Sequence, residues 1–220
     1  MPEKESCSCG CVNQFSSKEA EADLKSYRKD GATGSTKALI DALVKSGVGG
    51  ATLLDIGGGI GAIQLELLKA GAARAESVDA TEAYVTVANA EAAKEGYAER
   101  TNGRLGDFVE IASEVEAADL VTLDKVVCCY SDVDALLGRA ADHARRSIGL
   151  VYPRDAWWIT MTARLIAFVG WIRRDPIRWY QHPTSQIDWI LRKAGFIRRD
   201  IRRDFLWQVA VFDRVAPPAG

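Results

Sequence analysis

The stretch LLDIGGGIG, residues 53–61, decides the fold. The apolar run Leu53, Leu54 and Ile56 ends in Gly57, Gly58, Gly59 and Gly61, and AIQLELLKAG then continues with the pattern of a helix that stops at Gly71. Glycines between a strand and a helix let the backbone turn tightly and approach a ligand closely. The unpaired N–H groups at the helix start favour polar or anionic parts of that ligand.

The same alternation extends outward. Upstream, Ser16 or Ser17 caps a helix that runs to Gly31, and Ser35 or Thr36 starts a second one that ends at Gly47. Downstream, RAESVDA reads as a second strand and TEAYVTVANAEAAKEG as a helix. TNGRLGDF holds a short third strand, DLVTLDK a fourth, DVDALLGRAADHARR a helix and SIGLVYPR a fifth strand. TSQIDWILRKAGF is a last helix, followed by a terminal pair of strands within residues 197–214, one of them antiparallel. Strands and helices at this spacing predict an α/β fold with a mostly parallel sheet covered on both faces. Residues 1–50 form a tail and helical cap, 51–214 the main domain with an insertion at 155–183, and 215–220 a flexible tail.

Bulk numbers narrow the class. The 220 residues are 48% hydrophobic, enough for one substantial core. Lys plus Arg is 28 against 30 for Asp plus Glu, so no global basic field argues for nucleic acid. Arg198, Arg199, Arg202 and Arg203 are interspersed with Asp200 and Asp204, which weakens a local basic surface too. The first twenty residues lack an apolar run, and no long uncharged apolar stretch predicts a spanning helix. Five cysteines do not make a disulfide scaffold, and a reducing, cytoplasmic setting is expected. No metal site is expected, because Cys7, Cys9 and Cys11 alternate more closely than structural zinc ligands do.

The glycine spacing alone leaves the ligand open. Gly57, Gly59 and Ala62, with Asp79 at the end of the second strand, also satisfy a nicotinamide dinucleotide pattern. Three features favour another ligand. Asp55 stands two residues before the first glycine. Asp107 follows a glycine after the third strand. The sheet finishes antiparallel. On these residues the chain resembles the class I S-adenosylmethionine-dependent methyltransferases. The resemblance implies a Rossmann-like seven-stranded sheet with an antiparallel last strand, to which the residues themselves add N-terminal helices and an aromatic helical insertion after strand five. It implies that Asp55, Gly57, Gly58, Gly59 and Gly61 lie under the methionine part of the cofactor. Asp79 and Ala80 would meet the ribose, Asp107 and Phe108 the adenine, and Asp124 the reactive sulfonium. DKVVCCY, residues 124–130, is also similar to a segment of the methyltransferases related to magnesium-protoporphyrin O-methyltransferase, though no porphyrin substrate follows from that.

The acceptor is less defined. An Asn-Pro-Pro-Tyr stretch is absent, which makes methylation of a planar amine less attractive. An oxygen acceptor usually needs a base, and Asp124, Tyr130 and His182 are the catalytic candidates. Tyr27, Arg28, Cys128, Tyr130, Trp157, Trp158 and His182 are the candidates for contact with a small, partly apolar acceptor. Cys128 and Cys129 suit close packing in the wall between cofactor and acceptor, and His143 is expected to be solvated. The apolar insertion with Trp157, Trp158 and Trp171 suits a lid, a homodimer surface or a membrane contact. Three alternatives to O-methylation stay open: methylation of a thiol or of arsenite held by the N-terminal cysteines, an NAD(P)-dependent oxidoreductase, and a non-catalytic cofactor-binding scaffold.

Overall fold

The computed structural model describes residues 16–159, 161 and 180–215. Cys7, Cys9, Cys11 and Trp171 lie outside them, as does most of the insertion expected at 155–183. Seven strands form one sheet: β1 Thr52–Ile56, β2 Arg74–Asp79, β3 Thr101–Leu105, β4 Ala118–Asp124, β5 Ala144–Pro153, β6 Phe196–Arg203 and β7 Trp207–Arg214. Their order is β3-β2-β1-β4-β5-β7-β6. The first five run parallel, and β7 runs antiparallel to both β5 and β6. A dinucleotide sheet of the order 3-2-1-4-5-6 has no such reversed strand between the fifth and sixth. The antiparallel ending read from the sequence is therefore present, and it disfavours the nicotinamide alternative.

The helices include α1 Ser17–Asp30, α2 Gly34–Lys45, α3 Ala62–Lys69, α4 Glu82–Lys94, α5 Phe108–Ile111, α6 Val133–His143 and α7 Thr184–Lys193. Side chains alternate across a strand, so adjacent apolar residues in a doubly covered sheet feed two cores. Leu54, Val121 and Leu150 face one core with Leu136, Leu137, Leu191 and Phe212. Their neighbours Leu53, Leu120 and Val151 face the other, with Leu39, Leu43, Leu67 and Leu68 from α2 and α3.

Ser16 caps α1 in a capping box with Glu19. Three side-chain bonds then strap α1 across the top of the sheet. The Tyr27 hydroxyl donates to Glu66 at 2.6 Å, the Tyr84 hydroxyl donates to Asp23 at 2.7 Å, and Arg28 Nε donates to Glu91 at 3.0 Å. The Arg28 bond holds the carboxyl of Glu91 below its usual range, although that residue is buried.

One boundary and one side-chain placement differ from the sequence reading. The helix expected to reach Arg146 ends at His143, because Ala144 already pairs with Ala118 at the start of β5. Arg214 seals that junction by donating to the carbonyls of Ala141 and Ala144 at 2.9 and 2.7 Å. His143 is not simply solvated. Its ring nitrogens lie 2.7 and 2.9 Å from the carbonyls of Arg139 and Ala112, and its ring meets Phe108 edge-on.

Leu39 is fully buried where α2 meets the sheet. Leu39→Ala is expected to lower stability by about 2–5 kcal/mol through lost burial and the cavity left behind, read as a lower urea midpoint with an unchanged slope.

Candidate active site

The loops after β1, β2, β3 and β4 surround one cleft of about 460 Å³, roofed by α1 and the start of α2. This is the carboxyl edge of the parallel strands, where open α/β sheets place their ligands. The floor is the glycine turn. The Gly57 N–H donates to the Val78 carbonyl at 2.7 Å, and Gly57, Gly59 and Gly61 all have positive φ, at 68°, 53° and 80°. A Cβ on Gly57 would lie 2.3 Å from Val126 Cγ2, and one on Gly58 2.9 Å from Ser77 Cβ. At positions 57 and 58 the cleft floor is bare backbone because no side chain fits there.

Carboxylates line the walls: Asp23, Asp55, Asp79 and Asp124. Asp79 accepts from the Gly59 N–H at 3.0 Å and the Thr81 N–H at 2.9 Å, and burial pushes its pKa up. It therefore joins the β2 end to the glycine turn. Asp55 is 1% exposed, and its pKa is pushed up to about 7 by burial, with Asp124 and Asp79 adding repulsion. The Thr122 hydroxyl donates to Asp55 Oδ1 at 2.6 Å, which opposes that rise, while Oδ2 is buried without a hydrogen-bond partner. Asp124 ends β4, and the Thr36 hydroxyl donates to its Oδ2 at 2.5 Å. Its Oδ1 is likewise buried without a hydrogen-bond partner.

The far wall is built by Tyr130, held from behind by Asp107. Asp107 caps α5 by accepting from the Val109 N–H at 2.9 Å, and the Tyr130 hydroxyl donates to the same carboxylate at 2.8 Å. Phe108 and Gly106 face the cleft beside them.

Residues 54–147 match the family model described as a methyltransferase domain. The matched segment runs from β1 into β5 and carries the pattern of a methyltransferase domain. No curated protein matches it in sequence. Among solved structures it is similar to the magnesium protoporphyrin IX methyltransferase ChlM of Synechocystis PCC 6803 with bound SAH, at 20% identity and a TM-score of 0.72, covering 93% of this chain and 98% of that one. An O-methyltransferase family protein of Burkholderia thailandensis follows at 15% identity and a TM-score of 0.69, covering 91% of this chain and 61% of that one. The mitomycin 7-O-methyltransferase MmcR matches at 21% identity and a TM-score of 0.61, covering 94% of this chain and 62% of that one.

The cleft suits S-adenosylmethionine. Its carboxylates, two of whose oxygens lack a hydrogen-bond partner, fit a ligand with a sulfonium, an ammonium and a ribose diol, and its bare backbone floor admits close approach. Of the residues read as cofactor contacts, Asp55, Gly57, Gly58, Gly59, Asp79, Ala80, Phe108 and Asp124 line this cleft. Gly61 lies behind it, where a Cβ would press on Ala88, and Asp107 acts through its bond to Tyr130.

The acceptor candidates divide. Tyr27 and Tyr130 line the cleft. Arg28 turns aside to Glu91. Cys128 is 4% exposed with its thiol donating to the Lys125 carbonyl at 3.2 Å, and its neighbour Cys129 lines the cleft instead. Trp157 is 79% exposed and Trp158 packs against Phe205, so neither borders the cleft. His182 also lies off it, with Nε2 2.8 Å from the Tyr130 carbonyl. Sequence reasoning missed Asp23, Thr36, Tyr84 and Lys125, which come from elements whose docking no local pattern announces.

Two outcomes follow from this geometry. Gly57→Ala displaces Val126 and strains the turn, so calorimetric affinity for S-adenosylhomocysteine should fall at least about tenfold, or about 1.4 kcal/mol. Because the folded pKa of Asp55 is raised, its contribution to stability is fully present below about pH 4 and is lost as pH rises through about 7. Asp55→Asn keeps an acceptor for Thr122 but cannot ionise. Melting curves of the ligand-free variant should match the parent near pH 4, show less loss up to pH 8, and gain at most about 4 kcal/mol there.

Proposed function

We propose that this chain transfers a methyl group from S-adenosylmethionine to an oxygen of a small, partly apolar acceptor. When bound, S-adenosylmethionine supplies an electrophilic methyl group on a sulfonium. The observation that carries the proposal is the cleft itself: a glycine floor and four aspartates beside an aromatic and aliphatic wall of Tyr27, Ile60, Val126 and Tyr130. Acidic groups match a cationic cofactor, and the apolar groups give the acceptor a dry surface.

In this proposal Asp79 and Ala80 hold the ribose, and Phe108 flanks the adenine with Asp107 beside it. Asp124 fixes the reacting end, since Thr36 orients one of its oxygens and leaves the other without a hydrogen bond. Tyr130 serves as the wall of the acceptor space, positioned by Asp107 and, through its backbone, by His182. Displacement at carbon needs alignment and exclusion of water more than a covalent intermediate. The α1 strap provides that exclusion by crossing from Glu66 to Glu91 above the glycine turn. The likeness to proteins named O-methyltransferases supports oxygen over sulfur as the acceptor atom.

Calorimetry should find binding of S-adenosylhomocysteine and none of NAD; binding of NAD alone contradicts the proposal. With a hydroxyl, carboxyl and thiol panel and radiolabelled S-adenosylmethionine, Asp124→Asn should cut kcat at least about tenfold, a barrier change of about 1.4 kcal/mol. Its affinity for S-adenosylhomocysteine should stay within about threefold of the parent. Unchanged turnover removes Asp124 from the mechanism.

A further inference from the structure

Lys125 has φ 63°, the one positive value at a non-glycine position among the described residues. The left-handed region is unfavourable for a residue with a Cβ, and it persists where the surroundings over-determine it. Here they do so on both sides. The Lys125 N–H donates to the Val151 carbonyl at 2.9 Å, while the next residue, Val126, fills the space above Gly57. The resulting turn delivers the ammonium to the cleft. Nζ donates to the Thr36 hydroxyl at 3.2 Å, lies 3.7 Å from Asp124 Oδ1 and sits 5.7 Å from the centre of the Trp207 ring. The side chain remains 41% exposed, so it can exchange partners. Among the described residues lining the cleft, it is the one with a basic side chain; every other charged one is an aspartate.

We infer that Lys125 is an acceptor-binding residue that holds an anionic oxygen, from a carboxylate or an ionised phenol, next to the methyl group. This rests on the methyl-transfer function proposed above. The aspartates already match the cations of the cofactor, and a neutral acceptor has no use for an ammonium on a strained turn. An oxyanion also needs no base, which fits a cleft whose described lining residues include no histidine. The acceptor oxygen forms a bond to the methyl carbon as the carbon–sulfur bond breaks, and the bonding pair stays on sulfur. The negative charge of the oxygen and the positive charge of the sulfonium cancel, and no proton moves.

The test uses full-length protein and labelled S-adenosylmethionine. One arm offers aromatic carboxylic acids, each paired with its primary amide. The other offers phenols across a range of acidity, so that the two oxyanion sources are told apart. Turnover is expected for ionised members of one arm and not for amides. Lys125→Met should then raise the acceptor KM at least tenfold while the dissociation constant for S-adenosylhomocysteine stays within twofold, and Lys125→Arg should recover part of the loss. Lys125→Gly accepts the positive φ, so it should melt no lower than the parent yet share the KM defect, which separates loss of the ammonium from loss of the fold. Preference for neutral acceptors, an unchanged KM in Lys125→Met, or a defect confined to cofactor affinity overturns the assignment. So does absence of turnover with every anionic probe while S-adenosylhomocysteine still binds. Failure of the parent to bind S-adenosylhomocysteine overturns the methyl-transfer function as well.

Discussion

Val126 occupies the space that a side chain at position 57 would need. That contact joins the loop after β1 to the loop after β4, and much of the site depends on it. Because Gly57 has no Cβ, Val126 can settle on the turn. On either side of Val126, Lys125 takes the left-handed region and Val127, Cys128 and Cys129 wind into a short 3-10 turn. Asp124, just before this turn, is held at the cleft edge, where Thr36 of α2 reaches it. One steric fit between a glycine and a valine thereby sets the floor of the cleft and the direction of its reacting end.

Electrostatics acts on that scaffold. Three carboxylates, Asp55, Asp79 and Asp124, gather at the ends of β1, β2 and β4, and two of their oxygens are buried without hydrogen-bond partners. Buried polar atoms left unpaired cost stability in a resting protein. They are consistent with a site whose partner is a ligand, and a cationic ligand suits them best. Asp55 shows the cost most directly, since burial raises its pKa to about 7. Asp79 avoids the full cost by drawing two backbone N–H groups toward itself.

The parts of this arrangement that depend on local pattern were legible in the sequence. Leu53 and Leu54 are each apolar because the sheet is covered on both faces, and the glycines follow them at once. Asp55, Asp79 and Asp124 stand at strand ends that apolar runs mark clearly. The antiparallel finish was also readable, because two strand-like runs follow α7 with no helix between them. What could not be read depends on docking between distant segments. Thr36 meets Asp124 only because α2 packs on β5 and β7, and nothing in STKALI announces that contact. Cys129 lines the cleft in place of Cys128 because alternation does not hold in a 3-10 turn, where three residues complete a circuit. Arg28 and His182 looked free to meet an acceptor, yet the nearest polar partners, Glu91 and the Tyr130 carbonyl, engage them first. Lys125 carried no mark at all, since left-handed backbone is normally signalled by glycine.

The central claim is that this cleft binds S-adenosylmethionine with its reacting end at Asp124. A crystal structure of the protein with S-adenosylhomocysteine tests it most directly. The account predicts the ribose at Asp79, the adenine beside Phe108 and the sulfur turned toward Asp124, with Val126 still seated on Gly57. A ligand bound outside the cleft, or bound in it with the sulfur directed away from Asp124, would contradict the account.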